Sequence, residues 1–380
     1  MYQVVLTGSG FHVPPYEVTN QQLAEVYNRY VSQFNQENGS AIEAGQIAPL
    51  KESSPDFIEA LSGIHSRYFL TRDGILDPDI MQPLLPATGL ERPSFQLQLA
   101  VPAIQQALDE AGVRPEQIDA LYLASSLCER TFPSVAIELQ AFLGAQGMAC
   151  AIHMAASSAL YALQQAHLLL QTGAAQRALI VVPEINSAQL DFRDRFSHFL
   201  FGDGCAVLLL EREDVAVCKA GFVVHSCQVA SHYSTQIHNL NGDLLRTHPE
   251  SRYLLERLYR QSGPSVGETL LPLVCAHIQQ HLDSAGLAVG NITQFWLHQA
   301  NQHFQSAIAA SLGLAPERLP SLLQQYGNLA AAGAPACFHH FKHILASGEH
   351  GIMAAYGAGY AMGSVLLTRR DGYDSAFSKE

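Results

Sequence analysis

The spacing of apolar and polar positions predicts alternating strands and helices over most of the chain. Residues 2–6 form an apolar run of strand length, followed by a glycine turn that ends near Phe11. Residues 20–36 carry helical spacing, with Thr19 placed to cap the first turn. Residues 37–55 and 71–93 are polar, contain proline and lack a period. They read as insertions over the surface or over the mouth of a site. An amphipathic helix is expected at 96–111 and a strand at 120–125. A helix at 134–143, a short apolar run at 150–154 and a long helix at 157–172 follow. Residues 178–182 and 206–210 are short and rich in Val, Ile and Leu, as strands buried on both faces are. Past a boundary near 211–220 the scheme returns. Helices are expected at 270–285, 302–312 and 334–346, and strands at 294–297, 351–355 and 364–368.

The return is also literal. Residues 108–123 read LDEAGVRPEQIDALYL, and residues 282–297, 174 positions later, read LDSAGLAVGNITQFWL. Each copy is a helix end at Ala-Gly, a short turn and an apolar strand. A second echo pairs FGDGCAVLL from Phe201 with YGAG from Tyr356, which leads into SVLL from Ser364. Self-similarity on this scale predicts an α/β fold built from two copies of one unit, 1–212 and 213–380. A site between two such halves draws groups from both.

Composition narrows the class. With 48% apolar and 14% charged residues, the 380-residue chain carries a large core. A net charge of −13 argues against nucleic-acid binding, which needs a basic face. Seventeen of the 21 basic residues are Arg, and Arg246, Arg252, Arg257 and Arg260 form the densest basic stretch, either a solvated helix face or a phosphate contact. Seven Cys without a CxxC pair make neither a disulfide framework nor a zinc site, and they fit a reducing, cytoplasmic setting. The first residues lack the basic head and apolar stretch of a signal peptide. The most apolar long stretch, 148–170, contains His153, Ser157, Ser158 and His167, so no membrane span is expected.

Three elements of the second copy carry candidate chemistry. The strand at 294–297 runs into His298-Gln299-Ala300-Asn301, at a strand end where α/β folds place reactive groups. A lone histidine there is more often a core residue. Tyr326-Gly327-Asn328 precedes a run of small residues, which suits a tight loop holding an amide near a ligand or simply a turn. The glycine-rich turn from Tyr356 to Gly363 offers backbone N–H groups to an oxyanion, or only reverses the chain.

These elements, in this order and with the internal repeat, resemble the β-ketoacyl-ACP synthase III family of the thiolase superfamily. The resemblance covers nearly the whole chain. It includes Gly63-Ile64, Arg67, Phe132-Pro133-Ser134, Phe201-Gly202-Asp203-Gly204, His298 to Asn301, Gly327-Asn328 and Tyr356 to Gly359. It implies a thiolase fold, a duplicated five-layer αβαβα arrangement with mixed sheets, and a homodimer. It implies decarboxylative condensation of an acyl thioester with a malonyl- or β-ketoacyl-thioester, in fatty acid or polyketide-type synthesis. The substrates would be thioesters of acyl carrier protein or coenzyme A, with no bound cofactor or metal. By the same resemblance, His298 and Asn328 are catalytic and the backbone N–H groups of Ala156 and Ala358 form an oxyanion hole. Ser157, Gly357 and Gly359 would touch substrate, and Phe132 would reach across the dimer to close the partner's acyl tunnel. Arg246, Arg252, Arg257 and Arg260 are the candidate contacts to a carrier protein or its phosphopantetheine.

One position departs from the family. The nucleophilic Cys should open the long helix, and the matching stretch reads Met154-Ala155-Ala156-Ser157-Ser158, with Ala156 at the nucleophile position. A thiol at a helix N-terminus becomes a reactive thiolate, because the helix dipole and free N–H groups favour negative charge. A methyl group has no lone pair to offer. The chain as written is therefore expected to bind substrates without forming an acyl-enzyme. Three readings remain: a Cys-to-Ala form of a synthase, a related acyltransferase that does not decarboxylate, or a natural non-catalytic pseudo-synthase subunit. A further departure lies at Phe57 and Leu61, where members that use coenzyme A often carry Trp and Arg.

Overall fold

The structure is a computed structural model of the 380-residue chain; it describes residues 1–86, 89–240 and 258–371. The strands are β1 (Val4–His12), β2 (Tyr16–Thr19), β3 (Ser66–Phe69), β4 (Ala120–Ala124), β5 (Met148–Ile152), β6 (Arg177–Glu184) and β7 (Gly204–Arg212), then β8 (Gly221–Ser231), β9 (Ile237–His238), β10 (Arg260–Gln261), β11 (Ile292–Leu297), β12 (His350–Gly357) and β13 (Ala361–Arg370). The helices are α1 (Asn20–Glu37), α2 (Gly39–Glu43), α3 (Pro55–Ser62), α4 (Phe95–Ala111), α5 (Val135–Leu143), α6 (Ser158–Gln171), α7 (Gly263–Ser284), α8 (Gln302–Leu312), α9 (Leu323–Tyr326) and α10 (Gly333–Phe341). None of the described helices is long and apolar enough to cross a membrane.

The repeat is visible in the strand order. The first half runs β5-β4-β6-β7-β1 and the second β11-β12-β13-β8, so β4, β6, β7 and β1 correspond to β11, β12, β13 and β8. In both halves the first pair of corresponding strands is parallel and the next antiparallel. The two sheets are not separate. β1 pairs with β8 over Val4↔Val224, Val5↔Val223 and Leu6↔Phe222, which joins nine strands into one sheet folded back on itself.

Side-chain alternation along these strands builds five layers. Leu121, Leu123, Val181 and Val207 pack outward on α4 and α5. Tyr122, Ile180 and Leu208 point inward to α6 and α10, which also receive Trp296, Met353 and Val365 from the second half. Phe295, Leu297, Ile352 and Leu366 pack on α7 and α8 on the far face. A cap of α1, α3 and the β2–β3 pair closes over Phe192, Phe199 and Phe201. Thr19 caps α1 as expected, accepting from the Gln22 N–H while the Gln22 side chain returns to the Thr19 N–H.

Both literal copies of the repeat fold alike. α4 and α7 end at Gly112 (φ 66°) and Gly286 (φ 70°). The N–H of Val113 returns to the Leu108 carbonyl at 3.0 Å, and that of Leu287 to the Leu282 carbonyl at 2.9 Å. A 3₁₀ turn follows in each, Pro115–Gln117 or Val289–Asn291, and then β4 or β11.

Several expectations change. The glycines near the start make no turn, because β1 continues through Gly8 and Gly10, with only a shift of register against β7 between Leu6 and Gly8. A Cβ at either would lie 2.1 Å from the Ala107 carbonyl oxygen or 1.9 Å from that of Ala103, so α4 rests directly on the strand backbone. α7 begins at Gly263 instead of near 270, with Pro264 tolerated in its first turn and Pro272 inside it. α10 stops at Phe341 and gives way to a 3₁₀ turn, Lys342–Ile344. β8, the longest strand at 11 residues, interrupts its apolar residues with His225, Ser226 and Gln228, so no continuous apolar run announces it.

Candidate active site

Two strand ends and two tight loops meet at one cavity of about 170 Å³, which Ala156, His298, Asn328, Gly357 and Ala358 all line. The first loop follows β5. His153 Nδ1 bonds the Ser125 carbonyl oxygen at 2.8 Å, and the chain then turns through Ala155, whose φ of 47° few residues with a side chain adopt. The Ser158 hydroxyl holds this elbow, accepting from the Met154 N–H at 2.8 Å and donating to the Ala155 carbonyl at 2.7 Å. Ala156 thus stands just before α6 with its methyl group at the cavity. Its backbone N–H makes no hydrogen bond to any described residue.

His298 extends β11 by one residue, donating its N–H to the Ala354 carbonyl at 2.8 Å. Tyr356 Oη bonds the His298 carbonyl at 2.8 Å, and the two rings meet edge to face at 5.1 Å. Burial pushes the imidazole pKa down to about 4, with the Ala330 backbone acting weakly in the other direction. The ring is therefore neutral at pH 7, and its Nδ1 is buried without a hydrogen-bond partner among the described residues.

Asn328 follows Gly327 (φ 67°) and is held by its backbone against the first half. Its N–H bonds the Leu200 carbonyl at 2.9 Å, and its carbonyl accepts from the Gly202 N–H at 3.1 Å. Its Oδ1 accepts from the Ala330 N–H at 2.8 Å. The amide Nδ2 has only a 3.5 Å contact with the Ala300 carbonyl, so its N–H groups are what Asn328 offers a ligand. The β12–β13 turn closes the fourth side. A Cβ at Gly357 would sit 3.0 Å from Ala156 Cβ and 3.2 Å from Ala156 N, so the absence of a side chain there leaves the Ala156 N–H open. The Ala358 N–H likewise makes no bond to a described residue. The constellation is a helix-start position, a neutral imidazole, an amide donor and two unpaired backbone N–H groups.

The family models described as 3-oxoacyl-[acyl-carrier-protein (ACP)] synthase III and its C-terminal part match residues 151–227 and 282–369. The β-ketodecanoyl-[acyl-carrier-protein] synthase of Pseudomonas aeruginosa is 37% identical over 348 residues, which are 91% of this chain and 99% of that protein. The chain belongs to the 3-oxoacyl-ACP synthase III family. A β-ketoacyl-[acyl-carrier-protein] synthase III of Cereibacter sphaeroides is 31% identical over 291 residues, 74% of this chain and 88% of that one. Among solved structures, the P. aeruginosa 3-oxoacyl-(acyl carrier protein) synthase III superposes with a TM-score of 0.75 at 23% identity over 97% of this chain and 98% of that one. The priming β-ketosynthase of the R1128 polyketide pathway gives 0.76 at 20%, over 97% and 96%. The fold is the thiolase fold.

Other predicted residues of this synthase III chain lie elsewhere. Ser157 does not line the cavity, because it is fully buried and its hydroxyl donates to the Ala361 carbonyl at 2.8 Å, tying α6 to β13. Gly359 (φ 131°) is exposed and does not line the cavity, its carbonyl accepting from the Ser234 N–H at 2.6 Å. Phe132 is 83% exposed and away from this chain's own cavity. Arg260 is not open to a phosphate, since Asp191 at 3.1 Å and Asp194 at 3.3 Å hold its guanidinium. Arg246, Arg252 and Arg257 lie outside the described residues. Phe57 lies under the Arg195 guanidinium at 3.7 Å, and Leu61 is exposed.

Sequence reasoning missed the far wall and one side of the near wall. Val266, Gly267 and Leu270 bring the start of α7 to the cavity, and Ser126 lines it beside Ala155. Ser126 was within reach of the repeat, because it follows Ala124 as Ala300 follows His298.

Proposed function

We propose that this chain is the scaffold of a β-ketoacyl synthase III that joins an acyl thioester to a malonyl- or β-ketoacyl-thioester with loss of carbon dioxide, and that Ala156 stands where the nucleophilic Cys is required. The observation that carries the reading is the meeting of Ala156, His298 and Asn328 in one cavity, drawn from both halves of the chain. A thiolate at position 156 would attack the acyl thioester, expel its sulfur as a thiolate that takes a proton from water, and keep the acyl group. The open N–H groups of Ala156 and Ala358 would take the charge on the carbonyl oxygen. The malonyl thioester would then lose carbon dioxide. Its enolate oxygen would be held by the neutral His298 and by Asn328 Nδ2 while its carbon attacks the acyl group and frees the thiolate. Ala156 removes the first step and leaves the donors of the second.

The carriers of the acyl groups would be an acyl carrier protein or coenzyme A. A second copy would meet the first along β5, the edge of the sheet, where Met148, Ile137 and Phe142 are exposed together and Phe132 projects.

The test is Ala156→Cys. With a panel of acyl thioesters it should gain one acyl mass per chain, and malonyl thioester should then give carbon dioxide and a β-keto product. In that background His298→Ala or Asn328→Ala should cut product formation by about 10²–10³ and leave the acyl mass in place. Sedimentation of the same sample should show a dimer. No adduct with any acyl thioester removes the synthase reading. Acylation without carbon dioxide release from malonyl thioester turns it into a non-decarboxylating acyltransferase.

A further inference from the structure

The helix-start elbow at Ala156 has a twin. In the second half the chain turns through Ala330 (φ 46°), 175 residues after Ala155 (φ 47°), and enters α10 as the first elbow enters α6. The turns match bond for bond. Ser157 N–H returns to the Met154 carbonyl at 3.0 Å, and Ala332 N–H to the Leu329 carbonyl at 3.0 Å. Ala331 is therefore the counterpart of Ala156, and its backbone N–H likewise has no backbone partner.

What faces each elbow differs. Leu123 pairs with Val181, and its repeat partner Leu297 pairs with Ala354. Three residues further along each strand, Glu184 ends β6 and Gly357 ends β12. Gly357 abuts Ala156 and leaves its N–H open. β6, which Glu184 ends, packs on the second elbow at the turn Ala330–Ala332. The Glu184 carboxyl is fully buried. It accepts from the Ser126 N–H at 2.7 Å and bonds the Ser126 hydroxyl at 2.5 Å, while the backbone N–H of Ala331 acts on it from the other half. Ser126 and Ala330, one from each half of the chain, both line the cavity. Ala330 in turn donates to Asn328 Oδ1, so the elbow that Glu184 faces is the one that aims the Asn328 amide.

We propose that Glu184 is a positioning residue for the decarboxylating half of the reaction: its carboxyl fills in the second elbow the place left open for substrate oxygen in the first, and so locks the Asn328–Ala331 loop to the Ser126 wall. A buried carboxyl at the end of a central strand is costly unless its neighbours need it, and here both sides of the cavity supply donors to it. Burial raises its pKa to about 8, so it is largely the neutral acid at pH 7, a state an amide reproduces.

This rests on the synthase reading proposed above. In the Ala156→Cys background, acyl-enzyme formation and single-turnover reaction of the preformed acyl-enzyme with malonyl thioester are measured separately for Glu184→Ala and Glu184→Gln. Glu184→Ala should slow the malonyl step at least tenfold and leave acylation within about threefold. Glu184→Gln should restore the malonyl step at pH 7, and its rate relative to the parent should change between pH 7 and 9 as the parent ionises. Equal losses in both steps, or no loss in either, overturn the proposal. A parent that takes no acyl group at all overturns the synthase reading instead, and the orientation of Asn328 in crystals of Glu184→Ala then decides this proposal by itself: unmoved, it is wrong.

Discussion

The two elbows share a backbone and differ in what faces them. At Ala156 a glycine stands back and the N–H is open; at Ala331 a carboxyl moves in. One duplicated turn has thus been kept as a receptor for a transient charge and, in the other half, as a receptor for a built-in carboxyl group. The difference teaches which residues of a duplicated fold carry function. Those are the positions where the copies stop matching while the backbone still does. His298 against Ala124 is one such position, and Gly357 against Glu184 is another.

The comparison breaks most visibly at Gly357. In the Ala156→Cys background, Gly357→Ala places a Cβ 3.2 Å from the residue-156 backbone N, tight enough that the neighbour must give way. Acylation should fall about tenfold, a cost of about 1.4 kcal/mol in the transition state, while the malonyl step of any acyl-enzyme formed changes less. Rates of mass gain read this directly. Undiminished acylation would mean that the open side of the first elbow is not where the thioester oxygen sits.

How much of this was legible in the sequence follows from the same physics. The repeat and most helices were legible from periods and caps, His298 as a polar residue at a strand end and Asn328 as an amide in a glycine loop, whereas Ala156 was legible only through the family resemblance of residues 154–158. The start of α7 was hidden because the residues before Leu270 are mostly small and polar and include Pro264, which sits where no N–H is needed. Ser157 was misplaced because a helix-start serine points either to the site or into the fold, and only the approach of β13 decides that it bonds Ala361. Glu184 was invisible because nothing local marks it. Its partners are 58 residues away at Ser126 and in the opposite half at Ala331.

The two kinds of buried titratable group, carboxyls and imidazoles, should also titrate with opposite sign. In the first, burial raises Glu184 to about 8 and Asp203 to about 6. In the second, it lowers His281 and His298 to about 4 and also lowers His277. His167 and His198 of the first half, both at about 4, act with these histidines. A histidine with a lowered pKa contributes stability above its ordinary value of 6.5 that is lost as pH falls toward 4. A carboxyl with a raised pKa contributes stability below its ordinary value of 4.5 that is lost as pH rises through 8. More groups act on the acid side, so the melting temperature should fall steeply from pH 6.5 to 4 and gently from 6.5 to 8. His281→Asn should flatten the acid limb, whereas Glu184→Gln should flatten the alkaline limb and steepen the acid one down to about pH 4.5, where protonation of Glu184 opposes the loss from the histidines. A single variant that flattened both limbs would undo the assignment.

The smallest effect tests the half of the comparison that claims sameness. Gly112 and Gly286 close the two literal copies of the repeat at φ 66° and 70°. A Cβ at Gly112 meets only Val217 at 3.8 Å, and one at Gly286 meets nothing within 4 Å. The cost of Ala at either is therefore backbone strain alone, about 1–2 kcal/mol for a left-handed residue with a side chain. Gly112→Ala and Gly286→Ala should lower the urea midpoint of the chain by equal amounts and leave acylation of the Ala156→Cys form unchanged, since neither touches an elbow. Equality here, set beside the inequality at Gly357 and Glu184, is what separates inherited scaffold from acquired chemistry. If the two substitutions differed by more than about 0.5 kcal/mol, the copies would not be equivalent even where they read and fold alike, and the difference at the elbows would lose its functional meaning.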